Sequence, residues 1–155
     1  MVDDDRKITV SRSIDAPAAD IFEVLTNPER HTELDGSGFV RSTEKAQRIQ
    51  QVGDVFTMNM SGEHMGGDYQ TDNHVTGYGK DKILAWQTAP AGTEPPGWEW
   101  VWELEPQGPD QTLVTHTYDW SKVTDKELLD QNLFPLVSQE QLEETLNKLA
   151  AAVKA

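Results

Sequence analysis

Between Trp98 and Leu104 the chain reads Trp-Glu-Trp-Val-Trp-Glu-Leu, a two-residue alternation over seven positions. A strand with one buried and one wet face repeats with that period. Trp98, Trp100, Trp102 and Leu104 share one side, and Glu99, Val101 and Glu103 share the other. Three of the five tryptophans therefore stand in a row on one pleated face, where each ring has roughly 150–250 Å² to bury. Two readings fit such a row: the core face of a sheet, or the wall of an apolar ligand cavity.

The same alternation recurs elsewhere. Ile8, Val10, Arg12 and Ile14 oppose Lys7, Thr9, Ser11 and Ser13 in a first strand, with Ile8 and Val10 inward. Further strands are predicted at about 39–45, 54–61, 67–77, 82–88, 97–105 and 111–120. Phe56, Met58 and Met60 share a face, as do Tyr69, Thr71, Asn73 and Val75, then Leu84 with Trp86, then Val114, His116, Tyr118 and Trp120. Gly62 to Gly67 makes a hairpin with His64 and Met65 at its tip. Ala89 to Gly97 holds three prolines and two glycines and reads as a loop of the kind found at cavity mouths. No helical stretch between these strands is long enough for a parallel crossover, so a seven-stranded antiparallel meander is the economical topology.

Helical spacing appears in two places. Asp15-Ala16-Pro17 opens a helix carrying Ala18, Ile21, Phe22 and Leu25, since proline at a helix start forfeits no needed donor. Asn27, held extended by Pro28, stops it and caps a second short helix to about Leu34, before Asp35-Gly36-Ser37-Gly38 turns the chain. At the far end Ser138 and Gln141 form a capping box flanked by Val137 and Leu142. Leu142, Leu146, Leu149 and Val153 then make one apolar stripe, with Glu143, Glu144, Asn147 and Lys148 opposite. This helix is predicted over 139–153, roughly 22 Å at 1.5 Å per residue. A second box, Thr124 with Glu127, starts a shorter helix that Pro135 breaks.

Strand, two short helices, a run of strands and a long amphipathic helix together imply an α+β domain, residues 1–155, with helices over one face of an antiparallel sheet. A twisted seven-stranded sheet curls, and one straight helix leaves space in its trough. Trp86, Trp98, Trp100, Trp102, Met58, Met60, Tyr69, Asn73, Tyr118 and Trp120 are the candidate ligand-binding lining, or the plug that fills it. Ligand pockets of this kind enclose roughly 300–1,000 Å³, and the cavity reading expects a volume of that order.

Charge narrows the partners. Thirteen Lys and Arg against 27 Asp and Glu give a net charge of −14, with a sequence pI near 4.5. That excess argues against nucleic acid and repels anionic membrane surfaces, and it is most simply a solvated exterior. The absence of cysteine excludes disulfides, thiolate nucleophiles and Cys-type zinc sites. No apolar leader or long apolar run is present, so a cytoplasmic protein without membrane insertion is expected.

The stretch ITVSRSIDAPAADIFEVLTNPERHTELDGSG resembles the first strand and helix pair of the START-like (SRPBCC) superfamily, in its polyketide cyclase/dehydrase and lipid-transport branch. TLVTHTYDWS and QLEETLNKLAAAV resemble its last strand and final helix. The resemblance runs from end to end, but Ala16-Pro17, Asn27-Pro28 and Asp35-Gly36-Ser37-Gly38 are turn and cap chemistry. It implies the helix-grip fold, a curved sheet wrapped around the last helix with an apolar cavity between them. The superfamily includes ligand carriers, aromatase/cyclases, hydrolases and chaperone-ATPase activators, so fold alone does not choose a function.

Catalytic chemistry is sparse. There is no Gly-x-Ser-x-Gly elbow, phosphate loop or dinucleotide fingerprint, and Asp119 with Asp125 or Glu33 with Asp35 makes no recognisable dyad. His64, Asp68, Asp72 and His74 are scattered along a hairpin and read as surface polar residues, so neither a metal nor a cofactor is expected. His116 lies two residues from Tyr118 on the inner face. The pair either orients a ligand carbonyl or transfers protons, or His116 is a core histidine bonded to backbone. The leading expectation is binding of a small hydrophobic molecule such as a polyketide, lipid or aromatic metabolite. The alternatives are a cyclase/aromatase or dehydratase using His116 and Tyr118, and a chaperone-activator-like protein-interaction module.

Overall fold

Lys7–Ile14 (β1) pairs along its length with Gln111–Asp119 (β7), so the first and last strands of the chain are neighbours. The remaining strands are Val40–Lys45 (β2), Val55–Gly62 (β3), Gly67–Gly79 (β4), Ile83–Pro90 (β5) and Glu99–Gly108 (β6). They form one antiparallel sheet in the order β1-β7-β6-β5-β4-β3-β2, a six-strand meander with β1 added beside its last strand. This computed structural model describes residues 7–34, 40–45, 48–62, 67–93, 95, 97–121, 123 and 137–154. The 124–135 helix, His64, Met65, Asp125 and the 35–38 turn lie outside them.

The strands follow the alternation closely. In β7, Thr112, Val114, His116 and Tyr118 are buried while the residues between them are half-buried. The β5 and β6 strands run further than expected, through Pro90 and Pro106. Both prolines sit near strand ends, where a missing N–H is tolerated. At the β4–β5 turn Asp81 takes φ +62°, a left-handed conformation that Asp accepts more readily than a branched residue.

Helix α1 (Ala18–Leu25) begins after Pro17 and buries Ile21, Phe22, Val24 and Leu25. The Asn27 side chain accepts from the Glu29 N–H and starts a 3₁₀ turn, Pro28–Arg30, which leads into α2 (His31–Leu34). The C-terminal helix, α3, spans Gln139–Lys154. Its capping box closes as expected: the Ser138 N–H donates to Gln141 Oε1 at 2.8 Å, and the Gln141 N–H donates to Ser138 Oγ at 3.2 Å. Leu142, Leu146 and Leu149 are fully buried. Arg12 of β1 reaches this helix, donating to Asn147 Oδ1 at 2.7 Å, and Arg30 donates to the Ala152 carbonyl at 2.9 Å. Guanidinium groups from β1 and the 3₁₀ turn thus hold the middle and the C-terminal end of α3. No helix among the described residues is long and apolar enough to cross a membrane.

Candidate functional site

The inner face of the sheet and α3 flank a partly open cavity of about 140 Å³. From the sheet, Phe56, Met58 and Met60 of β3 line it, with Thr71 and Asn73 of β4. Trp86 and Thr88 of β5, Trp100 and Trp102 of β6, and His116 of β7 continue the wall. Leu25, His31 and Leu34 close it from the first helices, and Val137, Leu142 and Thr145 from the last. The volume falls short of the expected range because the trough is filled largely by its own rings. It is close to the roughly 150 Å³ of an apolar cavity that accepts benzene.

Those rings are packed in pairs. The Trp102 indole stacks on the His116 imidazole with centroids 3.7 Å apart, and Trp100 stacks on Tyr118 at 4.3 Å. Strand register explains both, since Trp102 faces His116 and Trp100 faces Tyr118 across β6 and β7. On the other side Trp86 stacks on His31 at 5.3 Å, and Phe56 meets both edge-on.

A chain of hydrogen bonds crosses the sheet beneath this wall. The Trp100 indole N–H donates to Thr88 Oγ1 at 3.1 Å, and the Thr88 hydroxyl donates to Asn73 Oδ1 at 2.7 Å. Asn73 Nδ2 then donates to the Phe56 carbonyl at 3.2 Å and to Thr71 Oγ1 at 3.4 Å. The direction is fixed at both ends, because an indole N–H only donates and a carbonyl only accepts. The amide orientation of Asn73 follows from its partners.

Both cavity histidines spend one nitrogen on backbone. His31 Nε2 lies 2.7 Å from the Leu25 carbonyl, so that nitrogen carries its proton. His116 Nδ1 lies 3.1 Å from the Val101 carbonyl, which makes Nδ1 the donor and leaves the lone pair on Nε2. Burial pushes the His116 pKa down from its ordinary 6.5 to about 4, and the bond to Val101 opposes this only in part. The ring is neutral at pH 7. Among the described residues, no Lys, Arg, Asp or Glu lines the cavity. The Trp102 indole N–H has no hydrogen-bond partner among the described residues.

Of the sequence candidates, Met58, Met60, Asn73, Trp86, Trp100, Trp102 and His116 meet at this cavity. Tyr118 is fully buried behind Trp100 and is not part of the lining, so it shares a face with His116 without sharing the space. Trp120 is buried beyond Tyr118. Trp98 is half-buried at the start of the Trp row, outside the lining. Tyr69 borders a shallow polar groove with Arg41, Asn59 and Gln70 instead. The sequence reading of the site omitted His31, Phe56, Thr71 and Thr88. Phe56 and Thr71 follow from the face alternation already read, whereas His31 depends on how α2 docks.

Residues 15–154 match the family described as Activator of Hsp90 ATPase homolog 1-like protein. Two mycobacterial relatives, Rv0088 and MT0096 of Mycobacterium tuberculosis strains, are 37% and 36% identical over 113 residues. Both are uncharacterized; the matched stretch covers 72% of this chain and 47% of each relative, so the chain matches about half their length. Among solved structures, a protein from Arthrobacter aurescens superposes with a TM-score of 0.69 at 15% identity, covering 96% of this chain and 86% of that one. The solution structure of the Aha1 dimer from Colwellia psychrerythraea gives 0.61 at 23% identity, covering 95% of each chain. These likenesses establish the helix-grip fold.

Proposed function

The chain belongs to the Activator of Hsp90 ATPase homolog 1-like family within the SRPBCC superfamily, and from that premise we propose that it binds one small, largely apolar molecule between the sheet and α3. The observation that carries this reading is the ring-walled cavity of about 140 Å³, free of charged side chains among the described residues and crossed by an oriented polar seam. Small-molecule sites are mostly apolar with a few placed polar groups. The volume limits the occupant, or the portion of it inside, to about one substituted ring. Calorimetric titration with toluene tests the proposal. The wild-type protein takes up one equivalent, and Thr145→Leu, which fills the cavity from α3, abolishes uptake. Wild-type protein that ignores toluene up to its solubility limit contradicts it.

A second reading rests on the family's description as activators of a chaperone ATPase and on the acidic composition, net −14. In it the exterior docks on a chaperone ATPase. An ATPase assay with added protein separates the two, since stimulation that survives Thr145→Leu assigns the function to the surface. The cyclase-type reading places proton transfer on His116 and Tyr118, and the Trp100 ring covering Tyr118 at 4.3 Å weighs against that pair.

A further inference from the structure

The polar seam has a direction, and its two ends are chemically different. Three groups along it have every polar hydrogen placed, the Trp100 indole, the Thr88 hydroxyl and the Asn73 amide, and the Phe56 carbonyl accepts at one end. Thr71 sits at the terminus and accepts from Asn73. Its own hydroxyl hydrogen is therefore not committed to the seam, and Thr71 lines the cavity. Three strands away in the sheet order, His116 lines the same cavity with Nδ1 committed to the Val101 carbonyl and Nε2 left as an acceptor. The lining thus offers one neutral donor and one neutral acceptor, separated by stacked rings.

We infer that the ligand is a flat, uncharged, single-ring aromatic that presents a carbonyl-type acceptor to Thr71 and a hydroxyl donor to His116. This inference rests on the proposed cavity binding and names its ligand class. A carboxylate is disfavoured because the lining, among the described residues, holds no cation to offset its desolvation. An ammonium is disfavoured for the matching reason. A wholly apolar ring fits the space but leaves the Thr71 hydrogen and the His116 lone pair unused. Polar groups left unpaired in a filled site are what give such pockets their discrimination.

Three probes separate the contributions: 4-hydroxyacetophenone, acetophenone without the hydroxyl, and p-cymene with neither polar group. Titrations at pH 6 keep both the phenol and His116 neutral. Thr71→Val is expected to lower affinity for both ketones at least tenfold relative to p-cymene, and Thr71→Ser to restore it. His116→Phe is expected to lower affinity for 4-hydroxyacetophenone at least tenfold relative to acetophenone. If the variants weaken all three probes equally, or none, the pairing is wrong while cavity binding stands. If no probe binds the wild-type protein, the cavity reading fails and this inference with it.

Discussion

The indole of Trp102 and the imidazole of His116 lie face to face, 3.7 Å between centroids and 19° between planes. Trp102 is 3% exposed and so is His116, so the histidine is held in a nearly dry stack with one nitrogen on backbone. The backbone bond to Val101 fixes its tautomer, and burial in the stack keeps it uncharged.

A pH dependence follows. The folded pKa of about 4 lies below the unfolded 6.5, so the unfolded chain binds the extra proton first as pH falls. The stability tied to the neutral ring is intact above pH 6.5 and is lost progressively between 6.5 and 4. At 1.36 kcal/mol per pKa unit the full loss is about 3 kcal/mol, with about 2 kcal/mol gone by pH 5. Urea unfolding at pH 7 and pH 5 checks this. Carboxylates also titrate toward pH 5, so the test is the difference between wild type and His116→Gln, which lacks this component.

Thr88→Val keeps the side-chain shape and cuts the seam. Asn73 Oδ1 loses its donor and the Trp100 N–H loses its acceptor. Each buried group left unpaired costs about 1–3 kcal/mol, so the urea midpoint drops markedly. A midpoint unchanged within error means the seam does not form.

Leu146 is 1% exposed on the inner stripe of α3. Leu146→Ala is expected to cost about 2–5 kcal/mol, combining lost transfer energy with the cavity left behind. A thermal melt that does not move means α3 is not packed on the sheet.

The Ser138 cap anchors the start of α3 where Val137 and Leu142 border the cavity. Ser138→Ala is expected to cost about 0.5–2 kcal/mol, with amide exchange accelerated in the first turn of α3 more than in its centre. Uniform exchange along the helix contradicts a local capping role.

Sequence pattern carried the sheet and α3 because each depends on a local period. Two-residue alternation put Trp100, Trp102, Met58, Met60 and Asn73 on the inner face, and the capping box marked the start of α3 to within a residue. Alternation gives the face of a residue but not its place along a curved strand. Trp98 and Trp120 therefore shared the right face and still missed the cavity, and Tyr118 was covered by Trp100 through cross-strand register. His31 was beyond reach for another reason. It enters the site only when α2 docks over β3 and β5, a contact between segments distant in sequence. The overestimate of volume has the same origin, since ring stacking across strands fills space that a list of inward residues leaves empty.

The most direct test of ligand binding in this cavity is an NMR titration of the five indole N–H signals with toluene, each assigned by a single Trp→Phe substitution. Trp86, Trp100 and Trp102 line the cavity, whereas Trp98 and Trp120 do not. The account predicts saturable shifts at the first three, with the other two nearly still. Shifts confined to Trp98 and Trp120, or none up to the solubility limit of toluene, contradict it.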